Sequence, residues 1–500
     1  MRERVGSQEE VRGGHTTGRQ GQHNLVEPVR KKKKKKHGAR EGPLLELKLA
    51  LGGKREGMSV KTNNPIGKVR KLQRKLYRSA KRSPNRRFHA LYERIHDWEV
   101  LEESWKRVRA NQGAAGIDEK TLKEIEDEGV ETFLKGIQKY LQEGRYHPLA
   151  VRRVEIPKAD GGKRPLGIPT VRDRVVQMAA KIVIEPIFEA DFKDASFGYR
   201  PKRGTLEAME KIRELANQGY NFVLDADIKN YFGSIDHEKL MKAVERRISD
   251  RRVLKLIRKW LKAGVMAEGQ WQGSLAGTPQ GGVASPLLSN IYLHGLDAIW
   301  EKEHGKLGVL VRYCDDFVVL CRTPWAVSEA QKKVKEILRS LSLEMHPEKT
   351  KEVKLARGKE GFKFLGWYVR KCPSARTPGK HFLNRWPSSE SMKKLNGKIR
   401  KVVHWQRPAG NIKELAVKLN PVLRGWANYF RTGNSCRKFE QMDKHLWMKI
   451  VLFENKRRRN VGPYWESGRF THAWYKSLGF FDLTRKGLIQ YPGRTYAKAL

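Results

Sequence analysis

Apolar residues at Val69, Leu72 and Leu76 recur at i, i+3 and i+7 between basic neighbours, which predicts a helix from about Lys68. A second helix is predicted over 88–109, where Leu91, Ile95, Trp98, Leu101 and Trp105 share a face. The glycine-rich stretch 111–118 (NQGAAGID) breaks the pattern, and a further helix is expected over 132–142. The period then changes. Residues 151–157 read as a strand, 159–163 (ADGGK) as a tight turn, and 222–228 as a strand followed by a turn and a helix from about His237. Residues 254–263 and 326–340 read as helices, and 362–370 as a strand. Two apolar runs, 307–313 and 317–322, read as strands hinged on Cys314-Asp315-Asp316. Strands and helices are mixed here without regular βαβ alternation. Beyond residue 380 strand patterns are few and helices are expected.

The chain has 500 residues, more than one ordinary domain holds. Lys and Arg number 103 against 55 Asp and Glu, a formal charge of +48. Self-repulsion on that scale is unfavourable without a polyanion, and nucleic acid is the leading partner. No stretch approaches the roughly 18 apolar residues of a spanning helix, and no membrane partner is expected. No apolar segment follows the N-terminal charges, so no secretory signal is expected. The four cysteines, Cys314, Cys321, Cys372 and Cys436, lack zinc-ligand spacing, and their scarcity fits a reducing cytoplasm.

Residues 1–57 carry 15 basic and 7 acidic residues, with six consecutive lysines from Lys31 to Lys36, and are expected to be disordered. They are either a nucleic-acid-binding arm or the product of an upstream start codon, with Met58 opening the working protein. A chain beginning at Met58 is expected to fold and work normally. Residues 380–500 hold 26 basic and 7 acidic residues and 18 aromatics. Cations contact phosphates and aromatic faces stack bases, so a nucleic-acid surface is favoured over the solvated face of an ordinary helical core.

The densest chemistry is Tyr313-Cys314-Asp315-Asp316 between two apolar runs. Adjacent carboxylates at a turn repel, and a divalent cation with oxygen ligands, magnesium above all, removes that penalty. The alternative is an ordinary Asp-Asp hairpin turn, although such turns favour Asn-Gly or Asp-Gly. Upstream, Asp225 and Asp227 alternate along a strand and so share one face. At most one of them is needed to complete a three-carboxylate cage. Two metal ions in such a cage stabilise the attacking and leaving oxygens of a phosphoryl displacement.

These residues resemble the reverse transcriptases encoded by group II introns. YCDD with apolar flanks is similar to their YxDD box, and DADIKNYFGSIDH (225–237) to their first palm motif. GTPQGGVASPLLSNIYL (277–293) resembles the block before the box, and KFLGW (363–367) the block that closes the palm. FGYRPKRG (197–204) resembles the block specific to the intron enzymes, and IPKADGGKRPLGIPTVRDRVVQ (156–177) their fingers. NPVLRGWANYFR (420–431) resembles the maturase thumb, domain X. The resemblance runs in family order over roughly 68–500.

It implies an α/β right-hand polymerase, with fingers and palm built on a mixed sheet, plus an α-helical thumb or maturase domain behind a disordered basic tail. The expected division is 1–57 tail, 58–379 fingers and palm, 380–445 thumb, and 446–500 a basic DNA-binding-like region. The implied activity is RNA-directed DNA polymerisation from deoxynucleoside triphosphates with two magnesium ions. The implied partners are an intron RNA template, whose splicing the protein assists, and target DNA. The resemblance puts the catalytic metal ligands on Asp227, Asp315 and Asp316. Asp227 is preferred to Asp225 because Phe232 follows five residues later. In the family that aromatic excludes the ribose 2′-hydroxyl; read without the resemblance, Phe232 is a core residue at a strand end. Gln280 and Gly281 match the pair lying along the incoming nucleotide. Lys158 and Arg164 match fingers cations on the triphosphate, a task that Arg172 and Arg174 either share or leave for salt bridges.

Arg424, Arg431, Lys456, Arg457, Arg458 and Arg459 are the expected nucleic-acid contacts of the C-terminal third, with Trp426 and Phe430 buried on one helix face. Two positions depart from the family pattern: Cys314 stands where Ala is more usual, and Gly233 replaces an acidic residue. No paired cysteines follow Cys372, so the chain resembles the endonuclease-lacking members. Two other functions compete: a domesticated or defence-type reverse transcriptase without an intron, and an RNA-binding splicing factor with an inactive polymerase. The thumb block weighs against the first, and the complete aspartate set against the second.

Overall fold

The computed structural model describes residues 65–157, 162–267, 270–272, 277, 281–355, 358–403, 411–457 and 470–492. The chain divides into two units, 1–61 and 62–500, and every described residue lies in the second. The basic tail expected over 1–57 thus lies outside the described residues, as do Lys158, Gln280, Arg458 and Arg459. No described helix is long and apolar enough to cross a membrane.

In chain order the strands are β1 (Val151–Pro157), β2 (Lys163–Ile168), β3 (Phe222–Ala226), β4 (Val265–Ala267), β5 (Gln270–Gln272), β6 (Gly308–Tyr313), β7 (Asp316–Cys321), β8 (Lys351–Lys354), β9 (Gly361–Phe364), β10 (Trp367–Pro373) and β11 (His381–Pro387). They form three sheets, ordered β2-β1-β4-β5, β6-β7-β3-β8 and β11-β10-β9. The second sheet is antiparallel throughout, with β3 held between β7 and β8.

Alternation along β3 splits two cores. Leu224 and Ala226 join Leu310, Phe317 and Val319 in a core shared with the helices His237–Glu245, Ser285–Ile299 and Pro324–Ser340. Val223 joins Val311, Val318 and Leu320 in a second core, filled by the helix Thr205–Asn217, the third sheet and the C-terminal helices. Both faces of β6 and β7 are covered, which is why these strands read as unbroken apolar runs.

Several expected elements change. The helix predicted over 88–109 is interrupted. Phe88 forms a bridge to Ile248, a short helix runs Tyr92–Ile95, and Asp97 opens a new helix, Trp98–Ala110. Where the short helix begins is set from outside the segment: Asp250 Oδ2 accepts from the amides of Leu91 and Tyr92, both at 2.9 Å. The strand predicted over 222–228 ends at Ala226, leaving Asp227 just past the ladder. The strand predicted over 362–370 is a hairpin, because Leu365 (φ 49°) and Gly366 (φ 80°) turn the chain with two positive φ values.

β11 was not expected. It pairs along all of β10, so a division after residue 379 cuts a sheet. A division after 445 likewise cuts the helix Cys436–Arg457. The helix Leu122–Glu128 was also missed, although Thr121 and Glu124 form a capping box at its start.

Candidate active site

The β6–β7 hairpin turns through Cys314 and Asp315, with Tyr313 paired to Asp316. Cys314 takes a positive φ of 59° and is buried. Burial, reinforced by the Asp315 carboxylate, pushes its thiol up to about 12, so it is a neutral packing group. Its Sγ and backbone N lie against Gly198, where a Cβ would stand 2.8 and 2.7 Å from them. This close approach accounts for a glycine in FGYRPKRG: the segment before it bridges onto β6, with the Phe197 amide donating to Arg312 O at 2.9 Å.

The three aspartates named from the sequence come from two elements. Ala226 pairs with Phe317, so the next residue along, Asp227, comes opposite Asp316, and Asp315 follows in the turn. Asp225 shares their face one step inward. Burial, then the Asp316 charge and, more weakly, Asp227, push the Asp225 carboxyl up to about 7 against the opposing pull of Lys351. Lys349 Nζ donates to Asp227 Oδ2 at 2.7 Å. Among the described residues no three His, Cys, Asp or Glu side chains converge tightly enough to close a metal cage. Even so, the donors are carboxylate oxygens, and a carboxyl driven toward protonation by burial and then by like-charged neighbours stands where a cation would be stabilising. That donor set fits divalent cations.

Phe232 lies in the short helix Tyr231–Ser234, partly buried, with its ring edge-on to Tyr231 at 5.2 Å. Asn230 enters that helix at φ 45° and folds its side chain over residue 233, where a Cβ would stand 2.5 Å from Asn230 Nδ2. At Gly233, a departure in the sequence, any side chain would have to displace the Asn230 amide. The Gly277 amide donates to Ile235 O at 2.8 Å, and a Cβ on Gly277 would strike Phe232 O at 2.7 Å. Gly281 has a φ of 117° and packs its backbone against Gly167 of β2. Gln177 Oε1 accepts from the amides of Val283 and Ala284, at 2.8 and 3.3 Å, and fixes the start of the following helix.

Arg164 belongs to β2 opposite Ile156. Arg174 is buried and bound to Ala114 O in the glycine-rich break, and Arg172 donates to His147 O at 3.0 Å. Arg174 is thus spent on the glycine-rich break, whereas Arg172 stays partly exposed.

Arg312 was missed. It is fully buried at the base of the turn. Its guanidinium donates to Asp297 Oδ1 at 2.7 Å and also to Oδ2, to Ser196 Oγ at 2.9 Å, to Cys314 O at 3.0 Å and to Asn290 Oδ1 at 3.2 Å. Burial works against its charge, and the Asp297 carboxylate more than offsets that, so its pKa is raised. Asn290 also donates to Gly198 O at 2.8 Å. One cation thus ties the turn, the helix Ser285–Ile299 and the 196–198 segment together.

At the C-terminal side Trp367 is wholly buried against Tyr429 and Phe430, and Tyr429 Oη donates to Leu365 O at 2.8 Å. The KFLGW and GWANYF blocks therefore meet. Phe430 is buried as expected; Trp426, expected to be buried with it, is only half-buried, packed between Phe430 and Phe439 with ring centroids 5.1 and 4.8 Å away. Arg424 is exposed over the Phe481 ring, and Arg431 is half-buried, its carbonyl accepting from the Gln490 amide. Lys456 and Arg457 are exposed at the end of their helix, and Arg457 is paired with Glu454 at 2.8 Å.

Residues 156–369 match the family described as reverse transcriptase (RNA-dependent DNA polymerase), and 392–472 match the group II intron maturase-specific domain. The chain is 35% identical over 338 residues to Protein YkfC of Escherichia coli, covering 60% of this chain and 87% of that protein. It is 37% identical over 213 residues to Group II intron-encoded protein LtrA of Lactococcus lactis, covering 42% of this chain and 35% of LtrA. It is 37% identical over 201 residues to an uncharacterized 91 kDa protein in a cob intron of Schizosaccharomyces pombe, covering 40% of this chain and 24% of that one. Both of these latter matches span about a third of the relative or less. The two domains, in this order and over these residues, make the chain a member of the group II intron-encoded reverse transcriptase and maturase family.

Proposed function

We propose that the protein is an RNA-directed DNA polymerase that also binds its intron RNA to assist splicing and mobility. One observation carries the polymerase reading: within the matched reverse transcriptase region, Asp227 and Asp316 come opposite each other on one sheet face, with Asp315 beside them. Asp227, Asp315 and Asp316 are the proposed holders of two magnesium ions. Bound there, the ions lower the barrier by stabilising charge on the attacking and leaving oxygens. The chain's own groups do the remaining work. Lys349 neutralises Asp227 and is the group that must release it. The Phe232 ring closes the sugar side against a 2′-hydroxyl. Gly281, held to β2, keeps side-chain bulk away from the nucleotide beside Gln280. Lys158 and Arg164 are the proposed triphosphate cations.

The maturase-specific match supports RNA binding by the C-terminal part, with Arg424, Arg431 and the run 456–459 as proposed contacts and target DNA as a further partner. The helices that follow β11 are the proposed thumb. A cytoplasmic site of action is part of the same proposal.

The test is primer extension on an RNA template with purified protein. DNA synthesis that requires deoxynucleotides, is abolished by a chelator and is restored by magnesium is the expected result. RNA binding without extension under any divalent cation would favour the splicing-factor reading instead.

A further inference from the structure

A cavity of about 960 Å³ opens among the helices Pro65–Arg82, His237–Glu245 and Ser285–Ile299. It lies on the helical side of the second sheet. Its wall residues Ile291 and Tyr292 belong to the core that takes Leu224 and Ala226, whereas Asp225 and Asp227 point to the other face.

Lys239, Lys242 and Arg246 recur at i, i+3 and i+7, share a helix face and all line the cavity. Among the described residues Asp191 is its only lining carboxylate, and it is already paired with Arg247 at 3.0 Å. Lys239 is spent on the wall, donating to Ser340 O at 2.6 Å and Ser342 Oγ at 2.8 Å. Lys242 and Arg246 are exposed and pair with no side chain among the described residues.

The cavity wall also carries aromatic rings. Phe192 and His294 lie 5.7 Å apart, centroid to centroid. Burial holds the His294 imidazole below the usual histidine range, hence neutral at pH 7, and its buried Nδ1 has no partner among the described residues. A solubilising surface has no need of rim cations over a wall of aromatic rings. A nucleobase with its phosphates uses both. The basic surface also continues outward: Ser83 and Arg86, next to the cavity's Pro84 and Asn85, line a groove that follows the helix Pro65–Arg82 past Arg82, Arg78 and Arg74. A polynucleotide backbone uses such a run; a free nucleotide does not.

We propose that this cavity receives an unstacked base of single-stranded RNA, with the flanking phosphates on Lys242 and Arg246, at a place separate from the carboxylate site. It rests on the reading of the protein as an RNA-binding polymerase, and the two fail in different measurements.

The experiment uses the full chain and a labelled single-stranded RNA oligonucleotide, with binding followed by anisotropy across a salt series. Lys242→Glu/Arg246→Glu is expected to weaken binding about tenfold or more. The log–log salt slope is expected to fall by about 1.4, two phosphates at about 0.7 each. Lys242→Arg/Arg246→Lys is expected to keep both. Extension of a saturating pre-annealed short primer–template is expected to stay within about twofold in either variant. RNA bearing one 5-iodouridine should cross-link to Phe192, Tyr292 or His294, and the charge-reversed variant should lose that cross-link. Unchanged affinity and slope, or cross-links only at other surfaces, overturn the proposal. Competition by uridine monophosphate as strong as by the oligonucleotide also overturns it, in favour of a free-nucleotide site. Failure of extension in the unaltered protein strikes the polymerase reading alone.

Discussion

Arg312 holds the Cys314 carbonyl from below, and so the aspartate turn depends on a charge that is itself buried. Removing one member of a buried ion pair strands the other, at a cost of about 3–5 kcal/mol. Arg312→Leu is therefore expected to lose about that much stability in denaturant titration. Arg312→Leu/Asp297→Leu should recover much of it, because no charge is left unpaired, yet extension should stay slow because nothing then fixes the turn. A double variant that recovers both would make Arg312 a packing residue only. Nothing in GVLVRY announces this role, since the partners Asp297 and Ser196 lie 15 and 116 positions away. The aspartates were legible because their chemistry is local: two adjacent carboxylates in an apolar hairpin, and an alternating pair in a strand. For Phe232, its place in the turn beside Gly277 predicts a second outcome. Phe232→Val should raise ribonucleotide incorporation with little change in deoxynucleotide use, read by competition between the two on one template. Unaltered selectivity would assign Phe232 to the core.

At the scale of elements, the hairpin β9–β10 carries the junction between the catalytic sheet's neighbour and the C-terminal helices. Its Leu365–Gly366 turn offers Leu365 O to Tyr429, and Gly366 O to Ser391 Oγ at 2.7 Å and the Ser388 amide at 3.0 Å. Trp367 fills the space beneath. Trp367→Ala is expected to cost about 3–5 kcal/mol by cavity formation. The loss should fall first on the C-terminal helices, read as faster amide exchange in Ile412–Phe430 than in β3, β6 and β7. Uniform loss of protection would contradict a junction role. Strands β3, β6 and β7 were readable in the sequence because each is an apolar run ending in polar chemistry. The separate helix start at 91–92 and strand β11 were not, because each is set by distant partners: Asp250 for the first, the length of β10 for the second. The capping box at Thr121 is a different case, since both of its members stand within four residues of each other and mark the helix locally.

Across the whole molecule, a charge of +48 calls for a polyanion, and its C-terminal part offers cations of unequal worth. Arg457 already answers Glu454 and must leave that carboxylate to meet a phosphate. Replacing 456–459 by alanine is expected to weaken RNA binding and to lower the salt slope by about 0.7 to 0.9 for each phosphate no longer neutralised. An unaltered slope would make the run a solvated helix end. The central claim is that DNA is synthesised on RNA at Asp227, Asp315 and Asp316, with Asp225 a half-buried neighbour rather than a ligand. The most direct test is the single-turnover extension rate on an RNA template for Asp227→Asn, Asp315→Ala, Asp316→Ala and Asp225→Asn, each with its RNA affinity measured alongside. The account predicts a fall of about a thousandfold or more, roughly 4 kcal/mol of barrier, in the first three with RNA binding retained, and less than about tenfold in the fourth. Near-normal extension by any of the first three, or a loss in Asp225→Asn as deep as theirs, would contradict it.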